Sequence, residues 1–256
     1  MKTTLTILVH GPSGVGKSWL ADTAPAPRLI LDAEGRAKYT PSGPKILWDP
    51  RVGPPPVYDG TWETCIVQVY DFETLLLAFS WLRAGDHPFV SVIIDSLMEC
   101  QKRCIDNVAG TNPMQTQDWG TLLRKIEALV RTYRDLVLIE SNLVSTVVFV
   151  CGTRTDAKTG KQEPLLQGQF CDTVPYYMDV VGYYYKQPMT DGSHVRALLV
   201  DELPGFVAKD GTGRLPGPII YADPNLGRPN LAALYELLRV NEQAAPAPVA
   251  AEGATA

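Results

Sequence analysis

The sequence predicts an α/β fold: a mostly parallel central sheet flanked by helices, with antiparallel strands at its C-terminal edge. Three observations predict it. An apolar stretch at residues 5–9 runs straight into a glycine-rich loop that opens a helical segment. Segments of strand type then recur at residues 28–32, 45–48, 65–69, 89–95, 145–151, 178–186, 195–201 and 218–221, with helical patterns between several of them. Finally, 256 residues, 45% of them hydrophobic and divided by no internal repeat, bury a substantial core as one domain. Residues 1–242 are expected to form that domain, and the Ala/Pro-rich residues 243–256 a disordered tail.

The loop reads Gly11, Pro12, Ser13, Gly14, Val15, Gly16, Lys17 and Ser18, a full-length P-loop pattern. A triphosphate needs several backbone N–H groups aimed inward at once, and a tight glycine-rich turn opening into a helix supplies them. Lys17 then sets a compact positive charge against the β- and γ-phosphates, and the Ser18 hydroxyl suits the shell of a Mg²⁺ ion. ATP and Mg²⁺ are therefore the expected ligands. The helix behind the loop should begin near Lys17 and end before Pro25.

Further helices are expected at residues 72–83, 96–108, 118–140 and 230–241, where apolar residues recur every three or four positions. Residues 50–60, with three consecutive prolines, read as a surface loop. Asp118 is read as a cap of the long helix, with nucleotide sensing as the alternative. Five scattered cysteines include no CxxC pair, and Cys100 and Cys104, four apart, mark a packed helix face before they mark a metal site. His10, His87 and His194 form no ligand pattern. Nothing resembles a signal peptide or membrane span, so the chain is expected in the cytoplasm.

Two acidic strand ends complete the chemistry. Residues 89–95 form an apolar strand ending in Asp95, and a carboxylate at the C-terminal edge of a parallel strand beside the P-loop can hold Mg²⁺ through its water shell; a buried strand that merely ends in Asp is the alternative. The strand at 28–32 ends in Asp32 and is followed by Glu34. Glu34 is the candidate to orient water for in-line attack on the γ-phosphate, while Asp32 is expected to hold the loop through backbone N–H groups. Lys17, Glu34 and Asp95 are thus the candidate catalytic set, and Ser18 and Asp95 the candidate metal ligands. Two solvated acids finishing a strand would look the same.

At these residues the chain resembles the RecA-like recombination ATPases, in particular compact phage-encoded ATP-dependent single-strand annealing proteins. The resemblance rests on the P-loop, on Leu31-Asp32-Ala33-Glu34, similar to the strand carrying that family's catalytic glutamate, and on Ile93-Ile94-Asp95-Ser96, similar to its Walker B strand. It implies DNA-stimulated ATP hydrolysis, single-stranded DNA as partner, annealing or strand exchange in recombination, a ring or filament of identical subunits, and a single-strand binding protein as a further partner. It also implies a host cytoplasm if the chain is phage-encoded. Residues 156–170 fall where the family keeps a mobile DNA-binding loop. The chain departs from the family in placing Gly152 and Thr153 where a polar amide senses the γ-phosphate, and in starting its first strand almost at Met1, so that any polymer contacts are expected to differ.

With a net charge of −5, a nucleic-acid footprint has to be local, because salt screens charge over about 8 Å. Arg154, Lys158 and Lys161 are the candidate phosphate contacts, with Gln167, Gln169 and Phe170 as hydrogen-bonding or stacking groups. An ordinary hairpin tip at 156–161 is the alternative. Arg124, Lys125, Arg131 and Arg134 line the long helix, where a solvated face explains them equally well. Tyr176, Tyr177, Tyr183, Tyr184 and Tyr185 read as half-buried strand aromatics before they read as a base-stacking platform. A second function class stays open: a P-loop switch or small-molecule kinase without DNA, although no Arg-rich lid follows Asp95.

Overall fold

The computed structural model describes residues 2–221 and 228–244; of the expected tail at 243–256, residues 243 and 244 continue the last helix instead, and residues 245–256 lie outside the described residues. Strands are β1 (Leu5–Gly11), β2 (Arg28–Asp32), β3 (Lys45–Leu47), β4 (Thr64–Gln68), β5 (Ser91–Asp95), β6 (Thr146–Thr155), β7 (Gln162–Pro164), β8 (Val180–Pro188), β9 (His194–Leu199), β10 (Lys209–Asp210) and β11 (Ile219–Tyr221). Helices are α1 (Lys17–Ala21), α2 (Phe72–Ala84), α3 (Leu97–Ala109), α4 (Thr116–Arg134), α5 (Phe170–Thr173) and α6 (Leu231–Ala244). Every strand expected from the sequence is present. The unforeseen elements β7, β10 and α5 are two to four residues long, too short to show a period.

The sheet runs β11-β9-β8-β1-β6-β5-β2-β4-β3, with β10 beside β8 and β7 beside β6. Pairing is parallel from β8 to β3 and antiparallel at β9 and β11, which is the mixed sheet expected. Strand β5, which carries Asp95, is not the neighbour of β1. The long strand β6 lies between them and pairs with both, Gly11 opposite Gly152 and Asp95 opposite Val150. Residues 146–151 are all buried, so this strand belongs at the centre of the sheet and not at an edge.

Strand periodicity sends alternate residues to two separate cores. Leu29, Leu31, Val92, Ile94, Val147 and Phe149 pack under α2, α3 and α4, while Ile30, Ile93, Val148 and Val150 pack with Leu20 of α1 and Leu231, Leu234 and Leu238 of α6. Each such buried aliphatic side chain contributes roughly 1.5–3 kcal/mol. Cys100 and Cys104 lie in the first core, the packed-face reading of that pair.

Local chemistry sets the helix ends. Asp71 accepts from Thr74 N at 2.9 Å to start α2, and Gly85, at φ 84°, stops it. Asp118 closes a capping box with Gln115, so α4 begins two residues earlier than expected. Its end tightens into a 3-10 turn at Asp135–Leu138. Asp179 accepts from the N–H and hydroxyl of Thr6 at 2.8 and 2.7 Å, tying the approach to β8 against β1. No helix among the described residues is long and apolar enough to cross a membrane.

Candidate functional site

The loop between β1 and α1 is shaped by its glycines. A Cβ on Gly11 would sit 2.1 Å from the Tyr184 carbonyl oxygen, so only glycine lets β1 end this close to β8, and Gly14 and Gly16 take φ of 76° and 100°. Lys17 donates to Gly11 O and Pro12 O, both at 2.9 Å, which pins its stem across the loop. Burial lowers the pKa of this ammonium, opposed by Cys151, Asp95 and Glu34. Because α1 is only five residues long, the N–H groups of the loop itself form most of the anion cradle.

The acidic strand ends come to the same place. Asp32, Glu34 and Asp95 follow from the register of β2 and β5, which sets Asp32 opposite Asp95. Asp32 does what the sequence suggested: its Oδ1 accepts from the N–H groups of Glu34, Gly35 and Arg36 at 3.2, 2.8 and 3.2 Å, and its Oδ2 from Ala37 N at 2.9 Å and Gln68 Nε2 at 3.2 Å. The turn so fixed presents Glu34 to the cleft, where Ser96 Oγ donates to Glu34 Oε1 at 2.6 Å. Arg36 Nε approaches Glu34 Oε2 at 4.0 Å. Burial pushes the Asp95 carboxyl up to about 6, with the Ser18 hydroxyl bonded to it pulling down and the charges of Glu34 and Asp32 pushing up.

Ser13, Gly14, Gly16, Lys17, Ser18, Glu34 and Asp95 all line one cleft of about 540 Å³. Gly11 and Pro12 bind the lysine from below, and Val15 turns its side chain into the core and its carbonyl outward. Ser18 and Asp95 bring two hard oxygen donors together, a set that fits Mg²⁺. The sequence reading missed other cleft residues. Trp19 and Tyr39, 43% and 68% exposed, offer aromatic faces, and Arg196 reaches in from β9. Trp19 directly follows the loop motif and was open to recognition; Arg196 became visible only once β8 and β9 were paired.

Where the resemblance implies a polar amide, Gly152 is closely packed: a Cβ there would lie 3.2 Å from Met98 Sδ and 3.3 Å from Leu165 Cδ2, tight contacts that those side chains would have to yield to. Thr153 lines the cleft instead. Its hydroxyl lies 3.0 Å from Glu163 O and 3.3 Å from His10 Nδ1. His10 Nε2 lies 2.7 Å from Val207 O, which can only accept, so Nε2 carries the proton and Nδ1 is an acceptor. The single Thr153 proton is thus shared between the P-loop strand and the β7 backbone. Burial pushes the His10 imidazole down to about 4, which keeps it neutral.

The residues expected to touch DNA do not form one surface. Residues 155–162 are the hairpin tip that was the alternative: Thr155 pairs Gln162, and Asp156 Oδ1 accepts from Lys158 N, Thr159 N and Thr159 Oγ1. Lys158 and Lys161 are exposed there, with no ion pair among the described residues. Arg154 is exposed but bonded to Glu163 at 2.8 Å. Gln167 is exposed, its backbone tied by N–H to Gln101 Oε1 and by O to Gln101 Nε2. Phe170 is corrected outright: it is fully buried in the larger core, where apolar burial outweighs any stacking role. Lys125 bonds Asn107 and Arg134 pairs with Asp135, as a solvated helix face does. Of the tyrosines, Tyr183 and Tyr184 are buried and Tyr177 bonds Glu127, whereas Tyr176 is 83% exposed.

A family model described as an AAA domain matches residues 3–212. No curated protein matches the chain. Among solved structures, a prototypical ATPase from the type III secretion system of pathogenic bacteria is 15% identical, with a TM-score of 0.45. The match covers 94% of this chain but only 63% of that one, so the chain spans less than two thirds of its length. A KaiC-like protein from the archaeon Pyrococcus horikoshii is 13% identical, with a TM-score of 0.42, covering 78% of this chain and 80% of that one.

Proposed function

The chain belongs to the AAA domain family, and from that premise we propose that it is an ATPase that binds single-stranded DNA and promotes annealing or strand exchange in recombination, working as a ring or filament of identical subunits. The observation that carries the reading is the convergence of Lys17, Ser18, Glu34 and Asp95 on one cleft beneath a strand, β6, that continues outward into the β6–β7 hairpin. In this reading Lys17 balances charge on the β- and γ-phosphates. Ser18 and Asp95 hold Mg²⁺, which when bound supplies further neutralisation of the phosphates. Glu34, held by Ser96, orients the attacking water and takes its proton as the bond to the γ-phosphorus forms and the bond to the β–γ bridging oxygen breaks.

Lys158 and Lys161 at the hairpin tip support the DNA part of the reading. They are solvent-facing and in no ion pair within 4 Å among the described residues, they belong to the element that leaves the nucleotide cleft through Thr153, and with exposed Tyr176 they line a second cleft of about 650 Å³. Asp156, Glu163, Asp172 and Glu202 also line it, so any strand there runs along the lysine side.

The test follows ATP hydrolysis by wild type and Glu34→Gln with and without single-stranded DNA, with DNA binding read by fluorescence anisotropy in the same samples. The expected result is ATP-dependent, salt-sensitive DNA binding, and a loss of turnover in Glu34→Gln of about 100-fold or more with ATP still bound. If DNA neither binds nor alters turnover, the recombination reading falls and a nucleotide switch or small-molecule kinase takes its place.

A further inference from the structure

Arg196 occupies a position that the ATPase reading leaves unexplained. Strands β8 and β9 pair so that Tyr184 faces Leu198 and Lys186 faces Arg196 on one side of the sheet. Tyr184 and Leu198 point into the core shared with α1 and α6, so two residues along β9 the same face emerges beside the P-loop. There Arg196 Nε donates to Val15 O at 3.0 Å, and it lies 3.5 Å from where a Cβ on Gly16 would stand. The side chain is half-buried and lines the same cleft as Lys17 and Ser18.

Its charge has no counter-ion among the described residues. Among the described residues no carboxylate lies within 4 Å of Arg196, whereas Arg36, the other arginine in the cleft, approaches Glu34 at 4.0 Å. Among the described residues only the Nε donor is engaged, which leaves the four N–H groups of the two Nη atoms. A partly desolvated guanidinium without an anion is costly, and it becomes favourable when a ligand brings non-bridging phosphate oxygens into its fork.

We propose that Arg196 is a phosphate-contacting arginine supplied by the same chain. It is a second fixed cation beside Lys17 that binds the phosphate chain of ATP and stabilises the charge developing on it in the transition state. The Val15 bond sets the angle of the guanidinium, and the free Nη donors do the binding. This deepens the ATPase reading and rests on it, and it gives a subunit its arginine without a neighbour.

Arg196→Gln and Arg196→Ala separate this role from simple bracing of the loop. Glutamine keeps a donor for Val15 O and loses the charge; alanine loses both. Turnover is measured for each, together with displacement of a fluorescent nucleotide by ADP, AMP-PNP and adenosine, and melting temperature reports that each variant is folded. The expected result is that both variants lose turnover by about 100-fold or more, that both bind AMP-PNP less tightly while adenosine is unaffected, and that added guanidinium ion partly restores Arg196→Ala. If Arg196→Gln hydrolyses and binds like wild type while only Arg196→Ala is impaired, Arg196 is a brace and the proposal is overturned. Wild-type behaviour of both variants overturns it equally. A wild-type protein that neither binds nor hydrolyses ATP instead removes the ATPase reading beneath it.

Discussion

The nucleotide cleft and the β6–β7 hairpin are two ends of one construction, because β6 buries its first six residues beside the P-loop strand, half-buries Gly152 and Thr153 at the cleft and exposes its last two residues. Their charges live under opposite rules. In the cleft Asp95 and Asp32 are 5% and 2% exposed, Asp32 is fixed by five hydrogen bonds and Asp95 is bonded to the Ser18 hydroxyl, so one misplaced group there is costly. On the hairpin Lys158 and Lys161 stand in water, and Arg154 and Glu163 neutralise each other. Exposed charges of that kind contribute about 0–1 kcal/mol to the fold. Rigid chemistry is therefore built into the buried end, and the charges of the exposed end are not constrained by the fold.

The sharpest way to break this contrast is Phe170→Ala. Phe170 anchors the return of the hairpin to the sheet by filling the larger core, and its truncation is expected to cost about 3–5 kcal/mol, read from urea unfolding. A cost below about 1 kcal/mol would mean that the ring is not packed, and would return it to the set of DNA-stacking candidates.

The buried end also predicts a pH dependence. The neutral His10 imidazole has its pKa pushed down to about 4, while in the unfolded chain it takes a proton near 6.5. Between those values the unfolded state binds more protons, so stability rises with pH across the window and is lost as pH falls through it. The full effect is on the order of 3 kcal/mol. His10→Gln, which cannot titrate, should flatten the unfolding midpoint against pH between about 4 and 6.5. An unchanged curve would assign the acid sensitivity to another group.

Asp32→Asn comes next. The amide NH₂ that replaces one carboxylate oxygen meets donors, either Ala37 N and Gln68 Nε2 or the three N–H groups of residues 34–36, and the expected loss is about 1–3 kcal/mol. Because this turn carries Glu34, turnover should fall along with stability. If stability drops and turnover does not, the Asp32 turn does not position Glu34.

Much of this architecture was legible because it is local. The P-loop, the cap at Asp118 and the turn held by Asp32 each join residues within a few positions of one another, and backbone chemistry dictates the residue types. The strands were legible from composition. Their order was not: nothing within residues 146–155 announces that β6 lies between β1 and β5, nor that pairing of β8 with β9 swings Arg196 to the loop. Burial of Phe170 and neutralisation of Arg154 by Glu163 depend on the same long-range geometry, and the hairpin was therefore read less well than the cleft.

The smallest expected effect tests the exposed end directly. If Lys158 and Lys161 each neutralise a DNA phosphate, the plot of log binding constant against log salt for single-stranded DNA loses about 0.7 of slope per lysine removed. The double variant Lys158→Ala/Lys161→Ala should therefore be shallower than wild type by about 1.4, bind more weakly at low salt, and keep its melting temperature, because both side chains are exposed and neither is in an ion pair within 4 Å among the described residues. ATP hydrolysis without DNA should also be unchanged, since the lysines lie beyond the residues that line the nucleotide cleft. A slope equal to wild type would show that the hairpin is not the footprint and move the search to the other basic strand pair, where Lys186 and His194 share a concave surface with Arg196. A changed slope with altered DNA-free hydrolysis would mean instead that the two ends of β6 are coupled without a partner, and that the division of labour drawn between them is wrong.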